Sequence, residues 1–363
     1  MKVLMLHQYF KTPQTGGALR SYYLAKALVE KGISPVVITT HNGSTIKKET
    51  VEGIEVHYLP IPYDNRFGFF KRVSSFLKFV WSIVREAGQF KDVDVCYAIS
   101  TPLTIGLAAI WIKKRYGIPY YFEVGDLWPE APVQMGIIKN PFLKSFLYRL
   151  ERSIYKRAEV IVALSEAIKS EIERKVAGKK IYIIPNMADT DFYQPTAKRP
   201  DLEERFSVQN KFVVAYIGTI GLANGLEYLV DCAEASQQTI IPIHFLICGE
   251  GAELDKLKKL AKEKLINNLS FIPAQNREGV REVMNVTDAA IISFKPLPVL
   301  ETGSPNKYFD ALAAGKLIVI NFGGWVKEEI EENRCGISVN SPQDFLSMIT
   351  PFINNSDQLK THQ

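Results

Sequence analysis

Lys307 and Asp310 stand one helical turn apart inside the segment ETGSPNKYFDALAAG, residues 301–315. Ser304 suits a helix N-cap and Pro305 the first helical position. A helix opening there leaves the backbone N–H groups from Gly303 to Asn306 pointing at whatever lies in front of it. Lys307 adds an ammonium in the first turn. Open N–H groups, the positive end of a helix dipole and one cation together suit a diphosphate. Asp310 falls on the same face as Asn306, where a carboxylate can accept both hydroxyls of a ribose. The plain alternative is a capped helix with a solvent-facing aspartate.

Other loops carry similar chemistry more weakly. Gly218, Thr219, Gly221 and Asn224 lie in a glycine-rich turn, and Gly249 opens a second tight corner. Both predict a backbone that approaches a phosphate or ribose closely. In the first half, Gly16 and Gly17 precede a helical pattern, either as an anion-facing turn or as a simple tight turn. Arg20 follows, within reach of a phosphate or of solvent. The segment GDLWPE, residues 125–130, sets Asp126, Trp128 and Glu130 together, a set suited to sugar recognition. Arg277 follows a polar loop and is a further candidate for an anionic ligand, or a solvated helix start.

These residues sit where an alternation of elements would put them. Apolar β-branched runs at 2–7, 35–40, 55–60, 93–99, 119–124, 159–165 and 180–185 alternate with helical patterns such as 17–31 and 101–116. The series restarts with strands at 212–218, 243–249, 269–273, 289–294 and 317–322. Helical patterns at 226–236, 253–264, 277–285, 305–314 and 326–333 separate them. Near-continuous apolar strands between helices mean parallel sheets covered on both faces. The expectation is α/β, two doubly wound domains, joined by the polar stretch 186–210 with Pro195 and Pro200. In such sheets ligands lie beyond the carboxyl ends of the strands, where the loops above fall.

The 363 residues allow two domains, each with its own core. A net charge of +5 is mild: it permits contact with phosphates or an anionic membrane and points to no nucleic-acid partner. The four cysteines form no CxxC pair and lie near no histidine cluster, so reduced thiols are expected and no metal site. The opening apolar run ends at Gln8, too short for a secretory signal, and no window is long enough to span a membrane.

The chain resembles a family 4 glycosyltransferase, of GT-B fold and retaining, over nearly its whole length. The likeness runs from residues 7–21 through DLWPE at 126–130 to 304–315, the most specific part. It most resembles the branch that builds O-antigen, capsule and exopolysaccharide repeats on a polyprenyl-diphosphate carrier. That resemblance implies two Rossmann-like domains facing across a cleft. Residues 1–190 would be the acceptor and membrane side, and 191–345 the donor domain. A helix at 346–363 would cross back to the first domain. It also implies transfer of a sugar, an N-acetylhexosamine or a related residue, from a UDP-linked donor to a lipid-linked glycan, without a metal or other cofactor. The family carries two glutamates with seven residues between them at the donor. Here Asp310 matches the second and Thr302 the first, with Glu301 beside it. The family's Arg and Lys after the first C-terminal strand match Thr219 and Asn224, which leaves Lys307 and Arg277 to offset the diphosphate. Asp126 is the group expected beside the reacting carbon with Glu301. Gly16, Gly17, Gly218, Gly221, Gly249 and 303–307 line the donor, while Arg20, Trp128 and Glu130 face the acceptor.

Residues 66–91, RFGFFKRVSSFLKFVWSIVREAGQFK, hold six basic residues and one acidic. Helical spacing puts Phe69, Val73, Phe76, Leu77, Val80 and Val84 on one face, opposite Lys71, Ser75, Lys78, Ser82 and Arg85. Residues 139–157 repeat the theme with Phe142, Phe146 and Leu150. Both stretches suit a helix lying on an anionic leaflet, or packed on the sheet with solvated charges. The expected location is the cytoplasmic face of the plasma membrane. Two other readings stand beside transfer: a nucleotide-sugar 2-epimerase of the same fold, and a non-catalytic nucleotide-sugar scaffold. The epimerase needs acid–base histidines, and of the five in the chain few fall at strand ends.

Overall fold

The computed structural model describes residues 1–17, 19–64, 67–239 and 241–363. The chain divides into two compact units, Met1–Pro185 with Thr302–Ser304, and Asn186–Glu301 with Pro305–Gln363. The division falls at Pro185 rather than in the middle of the polar stretch.

The first unit is built on strands β1 (Lys2–Leu6), β2 (Ser34–His41), β3 (Lys47–Val51), β4 (Ile54–Pro60), β5 (Val95–Ile99), β6 (Tyr120–Val124), β7 (Val160–Ala163) and β8 (Ile181–Ile183). Its helices are α1 (Arg20–Glu30), α2 (Phe69–Glu86), α3 (Ile105–Tyr116), α4 (Glu130–Gln134), α5 (Pro141–Arg157) and α6 (Glu166–Lys175). Among the described residues the sheet runs β3-β4-β2-β1-β5-β6-β7-β8. Leu4 pairs Val36 on one side and Cys96 on the other, so β1 is central, and Met5 and Leu6 are fully buried. Every pairing is parallel except β3 with β4. β3 is absent from the predicted strands. Its sequence, KKETV, is the polar edge that keeps a sheet from pairing with another chain, so no apolar run announces it.

The second unit carries β9 (Phe212–Ile217), β10 (Ile243–Cys248), β11 (Leu269–Ile272), β12 (Ala289–Ile292), β13 (Leu317–Ile320) and β14 (Gly336–Ser338), all parallel, in the order β11-β10-β9-β12-β13-β14. Its helices are α7 (Pro200–Arg205), α8 (Glu227–Gln237), α9 (Leu254–Glu263), α10 (Arg277–Val286), α11 (Asn306–Ala313), α12 (Trp325–Glu332), α13 (Pro342–Asn354) and α14 (Ser356–Thr361). The stretch 186–210 is no bare linker. It contains α7, and Tyr193, Leu202 and Val208 are buried in this unit. Three isolated apolar anchors in a polar run have no period to detect.

Helix α2 corrects the expected face. It buries Ser75, Phe76, Phe79 and Ile83 and exposes Phe70, Leu77 and Trp81 beside Lys71, Lys78 and Arg85. The inward direction centres on Phe79 and Ile83, which the predicted face left out, so Phe76 is buried while Leu77 is exposed. Arg66 lies outside the described residues, as does the side chain of Phe69. In α5, Phe142 and Phe146 are exposed, at 84% and 61%, while Leu150 is half-buried. Helix α3 packs against both α2 and α5. Among the described residues no helix is long and apolar enough to cross a membrane.

α13 packs on α8, with Phe345, Ile349 and Phe352 in the second unit's core and the Phe345 ring 5.7 Å from that of Phe245. Phe345→Ala is expected to destabilise this unit by about 3–5 kcal/mol, read as a lower midpoint in urea unfolding. A change under ~1 kcal/mol would mean that α13 is not part of the core.

Candidate functional site

The loops beyond the carboxyl ends of β9 and β10 press together in the second unit. A Cβ on Gly249, whose φ is +151°, would lie 1.9 Å from the carbonyl oxygen of Gly218. Only glycine permits that approach. The expected role of the loop amides is not what is found. The N–H groups of Gly218, Ile220, Gly221 and Gly249 are used internally, by Cys248 O, Glu250 O, Asn224 Oδ1 and Ile272 O. Asn224 also accepts from the Ser293 hydroxyl through its carbonyl, at 2.7 Å. These glycines and Asn224 therefore shape the corner and do not offer those donors to an anion.

Helix α11 meets this corner. It begins at Asn306, with Pro305 in the cap position and no side-chain cap, so Ser304 is not the N-cap that its type suggested. An uncapped first turn leaves helix N–H groups without intrahelical partners. Lys307, half-buried, reaches back over β9. Its Nζ donates to the Tyr216 hydroxyl at 2.6 Å and lies 3.8 Å from the centre of that ring. A Cβ on Gly218 would sit 3.1 Å from the same Nζ. Among the described residues the ammonium has no carboxylate partner, and burial pulls its pKa down to about 7. Tyr216 was not anticipated, because an apolar strand run gives no sign that one of its residues serves the loop beyond.

Asp310 lies one turn further and is part-buried. Burial raises its pKa to about 7, against the pull of Arg277 and with a push from Asp189. Arg277, at the start of α10, is no loose cation. It forms an ion pair with Asp189 and its guanidinium lies 3.8 Å from the Phe192 ring centre. Asp189 and Phe192 come from the stretch read as linker and were missed for that reason. Arg277 thus acts beside Asp310 rather than as an unpaired counter-charge for a diphosphate. Glu301 accepts from the Gly323 N–H at 3.4 Å, and a Cβ on Gly324 would lie 2.5 Å from the Glu301 carbonyl oxygen. Its carboxylate is held against the loop after β13. Gly303, Ser304 and Thr302 are grouped with the first unit.

In the first unit Gly16 and Gly17 take positive φ, +67° and +96°, in the loop between β1 and α1, while Ala18 lies outside the described residues. Arg20 does not face solvent. It is 9% exposed and its guanidinium grips the Glu123 carboxylate through Nε (2.9 Å) and Nη2 (3.0 Å), with Nη1 on the Pro185 carbonyl. Tyr97 donates to the same carboxylate. His7 hydrogen-bonds Ser21 at 2.8 Å, and burial lowers its pKa to about 4, so it is neutral at pH 7. Glu130 accepts from the Tyr148 hydroxyl at 2.6 Å and from Gln134 at 2.8 Å, which ties it to α5 and leaves it a structural task. Asp126 is exposed just past β6, and Trp128 is half-buried behind it.

Two families match the chain. One described as Glycosyltransferase Family 4 matches residues 15–192, and one described as Glycosyl transferases group 1 matches 198–362. The Escherichia coli protein WcaI, named for colanic acid biosynthesis, is 25% identical over 216 residues, which are 58% of this chain. The match spans about half of that relative, 52%. An uncharacterized glycosyltransferase of Methanocaldococcus jannaschii is 27% identical over 330 residues, 89% of this chain and 78% of its own length. The crystal structure of Anabaena HepE in complex with UDP and glucose aligns with a TM-score of 0.71 at 20% identity, covering 100% of this chain and 92% of that one. At that identity the likeness is one of fold.

A lysine held near pKa 7 in the folded chain, against 10.5 for the free side chain, opposes folding. The opposition is complete below pH 7 and disappears above about pH 10.5, because stability rises with pH wherever the unfolded state binds the extra proton. Lys307→Met should therefore raise the melting temperature by several degrees at pH 6, about 1–3 kcal/mol, and by much less at pH 10. Equal melting temperatures at pH 6 would show that the ammonium carries no such penalty.

Proposed function

Because the chain is a glycosyltransferase, a Glycosyltransferase Family 4 domain followed by a group 1 domain, we propose that it transfers a sugar with retention from a UDP-linked donor to a polyprenyl-diphosphate-linked glycan in surface polysaccharide assembly. The sugar is an N-acetylhexosamine or a related residue. The observation that carries this reading is the carboxylate-free ammonium of Lys307 at the uncapped start of α11, with Asp310 one turn on. The diphosphate binds at Lys307 and the first turn of the helix, and Asp310 takes the ribose hydroxyls.

The chemistry needs charge stabilisation on the leaving diphosphate more than it needs a strong base. As the bond from the anomeric carbon to the diphosphate oxygen breaks, negative charge grows where Lys307 and the helix dipole already point. The acceptor hydroxyl attacks from the face the diphosphate leaves, through an oxocarbenium-like state. Asp126, exposed just past β6, is the carboxylate that this reading assigns to the reaction. Helix dipole and ammonium together supply the positive charge, and no metal is needed. The relative named for colanic acid biosynthesis and the HepE complex with UDP and glucose fit a nucleotide-sugar enzyme of polysaccharide assembly.

A lipid-linked acceptor calls for a membrane surface. The exposed aromatics Phe70, Trp81, Phe142 and Phe146, among Lys71, Lys78, Arg85 and Arg149, give the first unit an apolar and basic face suited to an anionic leaflet. The enzyme thus works as a peripheral protein on the cytoplasmic side. Trp81→Ser with Phe142→Ser should reduce binding to vesicles containing phosphatidylglycerol about tenfold, while UDP affinity stays unchanged. Equal binding of wild type to neutral and anionic vesicles would remove this part of the reading.

The two ionisable groups of the corner set opposite limits on pH. Lys307 is charged below its pKa of about 7 and loses its charge as the pH rises through it. Asp310 is ionised above about 7 and becomes neutral as the pH falls. Affinity for UDP, measured by calorimetry, should be greatest near pH 7 and fall on both sides. Lys307→Ala should cost about 10–100-fold at pH 7 and abolish the alkaline fall, and Asp310→Asn should remove the acid one. Unchanged UDP affinity in Lys307→Ala sinks the donor-site reading.

A further inference from the structure

We infer that Tyr216 is a positioning residue for the donor diphosphate: its hydroxyl and ring hold the Lys307 ammonium at the Gly218–Thr219 corner, so that the tip of β9 sets where the cation meets phosphate. This rests on the donor-site reading above and extends it to a residue that touches no substrate.

A lysine at the start of a helix is a loose charge, since its long stem has rotamer freedom to lose on binding. Lys307 is restrained before any ligand arrives. The Tyr216 hydroxyl accepts from Nζ at 2.6 Å, and the ring face lies 3.8 Å away. On the far side the missing side chain of Gly218 leaves the space that the ammonium fills, a Cβ there being only 3.1 Å from Nζ. Tyr216 is itself fixed. Its ring is fully buried, and its hydroxyl donates to the Thr219 carbonyl at 2.7 Å. One phenol therefore aims both the loop backbone and the cation.

The type of partner matters as much as its position. A carboxylate would also hold the ammonium, but it would neutralise it, and an incoming phosphate would have to displace it. A phenol kept protonated by burial holds the group through one lone pair and a ring quadrupole, and leaves its charge intact. One of the three ammonium protons is used by Tyr216, and two remain for phosphate oxygens.

The test is a double-mutant cycle on the full chain, with UDP and inorganic pyrophosphate as the two probes and calorimetry across pH 6 to 9. Tyr216→Phe keeps the ring and loses the hydroxyl. It should weaken both probes about tenfold, the order of one charge-assisted hydrogen bond. The alkaline fall in binding should begin at lower pH, because an ammonium that loses an acceptor gives up its proton more readily. In a Lys307→Ala background the same change should have no further effect. Gly218→Ala is the second variant. Its Cβ must push the ammonium away, and its loss of affinity should likewise vanish once Lys307 is alanine. Additive losses in both cycles, or wild-type affinity and pH dependence in Tyr216→Phe, overturn the inference and leave the donor site standing. Wild-type binding in Lys307→Ala alone overturns the donor site itself.

Discussion

Parallel strands cannot be joined by short turns, so each must be followed by a helix that returns the chain to the start of the next. All the strand-to-helix loops of a unit then gather at one edge, and all the helix-to-strand loops at the other. The loops after β9 and β10 and the start of α11 come together for this reason. The contact of Gly249 with the Gly218 carbonyl goes further, since it brings two of these loops within the thickness of one backbone. The space a side chain at Gly218 would take is filled by the Lys307 ammonium, 3.1 Å from where a Cβ would sit.

The corner keeps its charge by an arrangement that folding alone would not favour. A lysine with a pKa near 7 and, among the described residues, no carboxylate beside it is a local expense carried by a well-packed sheet. The first unit treats its charges in the opposite way. Arg20 and Glu123 meet through two hydrogen bonds in a buried site, and Tyr97 satisfies the carboxylate further. One unit holds a cation with no carboxylate partner among the described residues, and the other pairs its cation with a carboxylate. That difference separates a group available for binding from one that holds β6 to the start of α1.

What could be read in advance follows from how each element is buried. The central strands are apolar on both faces, so their runs stand out, and the strands β1, β2, β9 and β10 lie where those runs fall. β3 is polar because it is an edge, and no run marks it. The 8-residue helix at Asn306 was visible through Pro305 and the spacing of Lys307 and Asp310. Its cap was placed one residue early, since Ser304 and Pro305 both have the chemistry of a helix start. Arg20 and Glu130 looked like binding groups because residue type reveals charge but not partner. Their partners, Glu123 and Tyr148, lie 103 and 18 residues away. Tyr216, Asp189 and Phe192 were hidden for the same reason: each serves the corner through a contact that is distant in the chain.

The closed pair at Arg20 has a consequence for how this chain can vary. Losing either partner alone strands an unpaired charge in the interior, which typically costs about 3–5 kcal/mol, a large share of the ~5–15 kcal/mol that keeps an ordinary domain folded. Losing both at once, in favour of two apolar side chains of like volume, can cost almost nothing. Single steps through this pair are therefore disfavoured in descendants of this sequence, and the two positions should tend to be inherited together or exchanged together.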